Sequence, residues 1–149
     1  ENDFIHYEIS NFGKQGFFSN HNTAYWKNQH YLGVGPSAHS FNGTSRQWNL
    51  ASNKQYIEMV NANNAYFEIE QLSNAQQYNE YIFTALRTMW GVELDYIKTQ
   101  FGATAHQYFE KQVSNWVNQG KIKQLENNYT LTSRGKLYAD AISSDLFIV

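Results

Sequence analysis

Histidines, carboxylates and glycines carry whatever chemistry this 149-residue sequence holds, and four of the five histidines fall in its first forty positions. His6, His21, His30 and His39 stand at separations of 15, 9 and 9 residues, with Asp3 and Glu8 as neighbouring oxygen donors. Those intervals match neither a helical i, i+4 pair nor the close spacings of zinc modules, so hydrogen-bonded imidazoles are favoured over an autonomous metal site. Glu8, set in an aromatic stretch, is a candidate buried carboxylate of the hydrogen-bonded structural kind. Gly33-Val34-Gly35-Pro36-Ser37 has the glycines of a phosphate loop but neither its lysine nor the spacing of a dinucleotide fingerprint. What those glycines offer is close approach of backbone to a ligand or a packed neighbour. The chain has no Cys, which removes disulfides, thiolate nucleophiles, zinc fingers and any self-contained iron–sulfur cluster. No catalytic residue is identified, and no metal ligand set is expected within the chain.

The elements that must position these groups follow from composition and pattern. A hydrophobic content of 42%, with 17% aromatic residues, is enough for a real core. No apolar run approaches the length of a membrane span. A net charge of −2 gives no general reason to bind nucleic acid. The sequence opens Glu1-Asn2-Asp3-Phe4, without Met or a signal-like apolar region, and reads as a piece of something longer.

Phe4 to Ile9 reads as a strand and Ser10 to Asn22, with Gly13 and Gly16, as a loop. Ser45 to Leu50 suggests a further strand. Asn53 is placed to cap a helix that buries Tyr56, Ile57 and Val60. From residue 73 the helical period is clear. Ser73 to Gln76 is a capping box ahead of Tyr78, Tyr81, Ile82, Ala85, Leu86 and Met89, with Gly91 to end the helix. A short helix carrying Leu94, Ile97 and Phe101 closes at Gly102. A capping box at Thr104 opens a helix with Phe109, Val113 and Trp116. Ile122 to Leu125 and Tyr129 to Leu131 flank Asn127-Asn128 in a predicted hairpin. Thr132 is expected to cap a last helix with Leu137, Ala141 and Ile142 on one face.

Three helices, a hairpin and a helix make a winged-helix-like pattern, which raises DNA binding as one reading. The third helix carries only His106, Glu110 and Lys111 as ionisable groups, too few cations for phosphate neutralisation. A packing or interaction module is the better account, and no nucleic-acid partner is expected.

Three segments taken in order carry a resemblance: Tyr7 to Lys14 (with Asn11-Phe12-Gly13), His21-Asn22-Thr23-Ala24-Tyr25-Trp26, and Tyr31 to Ser40 (with Gly33-Val34-Gly35-Pro36-Ser37-Ala38-His39). Together with Leu131 to Leu137 and Asp145-Leu146-Phe147, they resemble the oxygen-independent coproporphyrinogen III oxidase-like, radical-SAM proteins. The resemblance covers essentially the whole chain. Family members carry a Cys-x3-Cys-x2-Cys cluster motif that is absent here, so the resemblance implies the C-terminal part of such a protein.

The fold it implies is α+β. Residues 1–52 would be the last strands and loops of a truncated (β/α) barrel, residues 53–72 a helix and linker, and residues 73–149 a winged-helix-like C-terminal domain. The motif at His21 to Trp26 resembles the HemW-type haem-chaperone branch, which implies haem contacts at His21, Tyr25 and Trp26, with haem iron at His21. Gly13, Gly35 and His39 become candidate S-adenosylmethionine neighbours.

The resemblance thus implies a haem chaperone delivering haem to respiratory proteins, with haem or porphyrin as its ligand. A coproporphyrinogen oxidase of porphyrin biosynthesis is the alternative, and a winged-helix interaction or DNA-binding module the second alternative. A [4Fe–4S] cluster, S-adenosylmethionine and haem are expected of the longer protein and no cofactor of this chain alone, which is expected to be catalytically inactive. A cytoplasmic bacterial location is expected, with peripheral membrane association open to the longer protein. Exposed barrel edges would allow self-association.

Overall fold

The computed structural model describes residues 3–149 and is α+β. Strands β1 (Phe4–Glu8) and β2 (Asn11–Lys14) lead into helix α1 (Asn20–Trp26). Strands β3 (His39–Phe41) and β4 (Ser45–Asn49), helix α2 (Asn53–Asn61) and strand β5 (Phe67–Gln71) follow. The remainder comprises α3 (Asn74–Leu86), β6 (Val92–Glu93), α4 (Leu94–Asn118), β7 (Ile122–Leu125), β8 (Asn128–Leu131), a 3-10 turn (Gly135–Tyr138) and α5 (Ala139–Asp145). No helix among the described residues is long and apolar enough to cross a membrane.

The chain forms two compact units that do not follow sequence order. The stretch ending at Lys27 packs with Asn74–Val149, and Asn28–Ser73 forms the other unit. Backbone hydrogen bonds tie the early strands to the region after α3. The Ile9 amide donates to the Arg87 carbonyl, and the Met89 amide to the Tyr7 carbonyl, each at about 3 Å. Every sheet is antiparallel, with strand orders β1-β2, β3-β4-β5 and β6-β8-β7. A (β/α) barrel is built of parallel strands, and no parallel pair occurs among the described residues.

In the larger unit the helical period sets the core. Tyr78, Ile82, Ala85 and Leu86 of α3 are buried, as expected, against Ile97, Phe109 and Val113 of α4. Met89 lies beyond the end of α3 and is 44% exposed. Gly102 adopts φ 86°, ψ 176°, which breaks α4 into 94–101 and 103–118. The break falls at the glycine itself, two residues ahead of the capping box at Thr104. Behind these helices Val92, Ile122, Tyr129 and Leu131 present the buried face of the three-stranded sheet.

Three local readings are corrected. The β7–β8 turn places its positive φ at Glu126 rather than at an Asn, because Asn128 already pairs with Leu125 in the ladder. The Thr132 hydroxyl does accept from the Gly135 amide, at 3.0 Å. A 3-10 turn then intervenes and shifts the helical phase, so Ile142 is buried while Leu137 and Ala141 face solvent. Ser10 to Asn22 is not all loop, since it holds β2 and the start of α1.

Gly135 sits where any Cβ would run into the Lys121 carbonyl oxygen, which accepts from the Thr132 amide at 2.9 Å. Gly135→Ala therefore has to move one strand end. It is expected to cost about 1–3 kcal/mol, read as a lower urea midpoint.

In the smaller unit, β4 pairs along its length with β3 and β5. Helix α2 is capped by Ser52, one residue earlier than expected, whose hydroxyl accepts from the Gln55 amide. Contrary to expectation α2 buries nothing within its unit, and Ile57 and Val60 are exposed. The Tyr31–Gly35 run contributes a single bridge, Tyr31 to Phe41. Gly33 does allow close backbone approach, since a Cβ there would collide with the His39 carbonyl.

Candidate functional site

The site is organised by a bulge. Alternate residues of a strand face opposite sides, yet Tyr7 and Glu8 are both buried, because the β1–β2 register slips between His6 and Glu8. Tyr7 stacks on Phe18 with ring centroids 4.5 Å apart. The Glu8 carboxylate turns inward and is 1% exposed. A charge taken that far from water must be paired and hydrogen-bonded. The Ser10 amide and the Asn11 side-chain amide donate to Oε2, and Arg87 Nε donates to Oε1 at 3.1 Å. The sequence reading of Glu8 as a buried structural carboxylate is what the structure holds.

Two branches of this network end on α1. Asn11 Oδ1 accepts from Asn22 Nδ2 at 3.3 Å. Arg87, also paired with Asp140, lies with its Cζ 5.7 Å from the Trp26 ring and 5.4 Å from Phe83, within cation–π range. Asn22 and Trp26 are four residues apart and share one face of the helix. Ser19 caps the helix by accepting from the Asn22 amide. The neighbouring face carries His21 and Tyr25, also four apart, whose rings meet edge-on at 4.9 Å. His21 is exposed and Tyr25 is 40% exposed. The Trp26 Nε1–H and the Thr23 hydroxyl are buried and have no hydrogen-bond partner among the described residues.

The arrangement is a short helix fastened on one side and presenting an imidazole beside an aromatic ring on the other. An open imidazole nitrogen can ligate iron, and the ring offers apolar surface to a flat ligand. Arg87, Asn11 and Asn22 are supports that the sequence did not single out. Their only early signal is that a buried Glu8 requires donors.

The structure brings His21, Tyr25 and Trp26 together on α1. Gly13 is buried in β2 of the same unit, opposite Ile5, where a Cβ would meet the Phe18 ring at 3.0 Å. Gly35 and His39 belong to the other unit. Gly35 adopts φ 98° and its carbonyl accepts from Asn49 Nδ2 at 2.9 Å, while His39 pairs with Trp48 and is exposed. A [4Fe–4S] cluster does not fit this chain, which supplies no thiolate. Among the described residues no group of three or more His, Asp or Glu is placed to hold a metal ion.

Residues 72–138 match the HemN C-terminal domain. Over 137 residues, 91% of the chain, the sequence is 31% identical to the heme chaperone HemW of Bacillus subtilis, covering 36% of that protein. It is 30% identical over 135 residues to HemW of Lactococcus lactis, covering 91% of the chain and 35% of that protein. The mitochondrial radical S-adenosyl methionine domain-containing protein 1 of Mus musculus is 30% identical over 146 residues, 92% of the chain and 30% of that protein. Among solved structures, the radical-SAM coproporphyrinogen III oxidase HemN of Escherichia coli shares the fold, with a TM-score of 0.71 at 16% identity over 97% of this chain and 37% of that one. The chain thus spans about a third of the length of the curated relatives it matches. Its residues 72–138 match the HemN C-terminal domain, and over nine-tenths of its length it is similar to HemW heme chaperones.

Proposed function

We propose that the chain is the C-terminal part of a radical-SAM haem chaperone and that α1 is its haem contact. The observation that carries this reading is the division of α1 into a fastened face, Asn22 and Trp26, and an outward face, His21 and Tyr25. His21 supplies the ligand to haem iron, Tyr25 lies against the macrocycle, and Trp26 is the third contact in this reading, backed by Arg87. The HemW names of the relatives support haem as cargo. Respiratory haem proteins are the proposed recipients, and the cytoplasm the proposed site of the exchange.

In the longer protein, residues 1–52 close a radical-SAM barrel, 53–72 link, and 73–149 form a winged-helix-like domain. Support for the last comes from the α3, α4 and β6-β8-β7 arrangement. Gly13, Gly35 and His39 face S-adenosylmethionine in this reading. Radical chemistry needs cluster thiolates that this chain does not contain.

Haemin titration of the 149-residue chain tests the assignment. A saturable Soret band is expected, and His21→Ala is expected to weaken binding roughly tenfold or more, about 1.4 kcal/mol, at unchanged folding. Equal affinity in the variant would remove His21 from the role. The absence of any saturable band would remove α1 as a self-sufficient contact.

A further inference from the structure

A cleft of about 400 Å³ lies in the larger unit, remote in sequence from α1, between the β7–β8 hairpin and the segment that enters the 3-10 turn. Lys123 and Thr130 are register partners across the hairpin and so present their side chains on one face of it. Lys136 enters the same cleft from the 3-10 turn, Ser133 contributes its hydroxyl, and Met89 adds apolar wall. No acidic residue lines it.

Two of the lining hydroxyls are already spent. The Thr88 hydroxyl donates to the Ala85 carbonyl, and the Thr132 hydroxyl donates to the Gly120 carbonyl and accepts from the Gly135 amide. Among the described residues the Thr130 and Ser133 hydroxyls make no hydrogen bond, and Lys123 has no carboxylate partner. Among the described residues the Lys136 ammonium meets no carboxylate within ion-pair distance, and its hydrogen-bond partner is His6 Nδ1, at 2.9 Å. The other His6 nitrogen is engaged with the Ile9 carbonyl at 2.8 Å, which fixes Nδ1 as the acceptor. Burial holds the Lys136 ammonium below its ordinary range, with Glu8 opposing and Lys123 adding to the depression. Glu8 is itself committed to Arg87. Two like charges therefore sense each other in a cleft with free hydroxyl donors, on a protein whose net charge is −2.

We propose that this cleft binds a phosphate group, held between the Lys123 and Lys136 ammoniums with the Thr130 and Ser133 hydroxyls donating to its oxygens. Two cations match a doubly charged group better than the single charge of a carboxylate. A volume in the range of small-molecule sites, with an apolar wall, leaves room for a phosphomonoester as well as free phosphate. The site is independent of the haem assignment.

The test is a titration of the 149-residue chain, followed by amide 1H–15N shifts at constant ionic strength, with inorganic phosphate, glycerol 3-phosphate and acetate. Saturable shifts confined to residues 130–133 and around Lys123 and Lys136 are expected with both phosphates. Lys123→Gln should weaken them at least fivefold, and Thr130→Val by a smaller factor. Tighter binding of glycerol 3-phosphate identifies an organic ester as the ligand class, and equal binding identifies free phosphate. Non-saturable shifts, acetate binding as tightly as phosphate, or an unchanged affinity in Lys123→Gln would overturn the proposal. His21→Ala should leave the phosphate titration unchanged, which separates failure here from failure of the haem reading.

Discussion

Replacing Glu8 by alanine is expected to lower the stability of the larger unit by about 3–5 kcal/mol, the range found when one member of a buried ion pair is removed. The loss has three parts. Arg87, 18% exposed, keeps only Asp140, whose side chain is 83% exposed and whose attraction is screened by water. The Ser10 amide and the Asn11 side chain lose their acceptor. Asn11 and Arg87 are then no longer fixed, and both of the contacts that fasten α1 loosen with them. Glu8→Gln keeps one carbonyl acceptor without the charge and should fall between parent and alanine variant. Urea unfolding reads the stability, and haemin titration under folding conditions reads the second consequence, weaker binding with His21 still present. A Glu8→Ala protein within about 0.5 kcal/mol of the parent, the scale of an ordinary surface change, would show that the carboxylate does not hold this network together.

Phe109→Ala is the second large effect. The ring is fully buried and meets Tyr129 edge-on at 5.1 Å, joining α4 to the central strand of the β6-β8-β7 sheet. Truncation forfeits the transfer free energy of the ring and leaves a cavity that two helices and a sheet cannot close, for about 3–5 kcal/mol. Phe109→Leu fills most of that space and should cost clearly less. The two midpoints, compared in urea, check both the burial and its rigidity; similar losses for Ala and Leu would mean that the site collapses freely.

How legible all this was in the sequence depended on the range of the interaction. The α3 and α4 cores were readable because a repeating apolar stripe is local, and Gly102 marked its break by residue type alone. Helix α1 was hidden because it is seven residues long, buries no residue fully and starts Asn-His-Asn. α2 carried an apolar pattern that suggested burial, yet within its unit that face stays open. The α5 face was misphased because a 3-10 turn advances the chain by three residues per turn rather than 3.6. Arg87 could not be matched to Glu8 by any spacing rule, since 79 residues separate them. For the site itself, His21, Tyr25 and Trp26 were found through a resemblance, and their supports became visible only in three dimensions.

The discontinuity of the larger unit bears on how the recurring domain should be handled. The matched stretch, residues 72–138, stops short of Ile142 and Leu146, and it excludes the strand whose carboxylate neutralises Arg87. Severed at those limits, the polypeptide would leave an apolar flank wet and a guanidinium bereft of its main counter-ion. The stretch that matches the recurring domain is thus smaller than the compact unit around this core, which draws on both the early strands and the last helix.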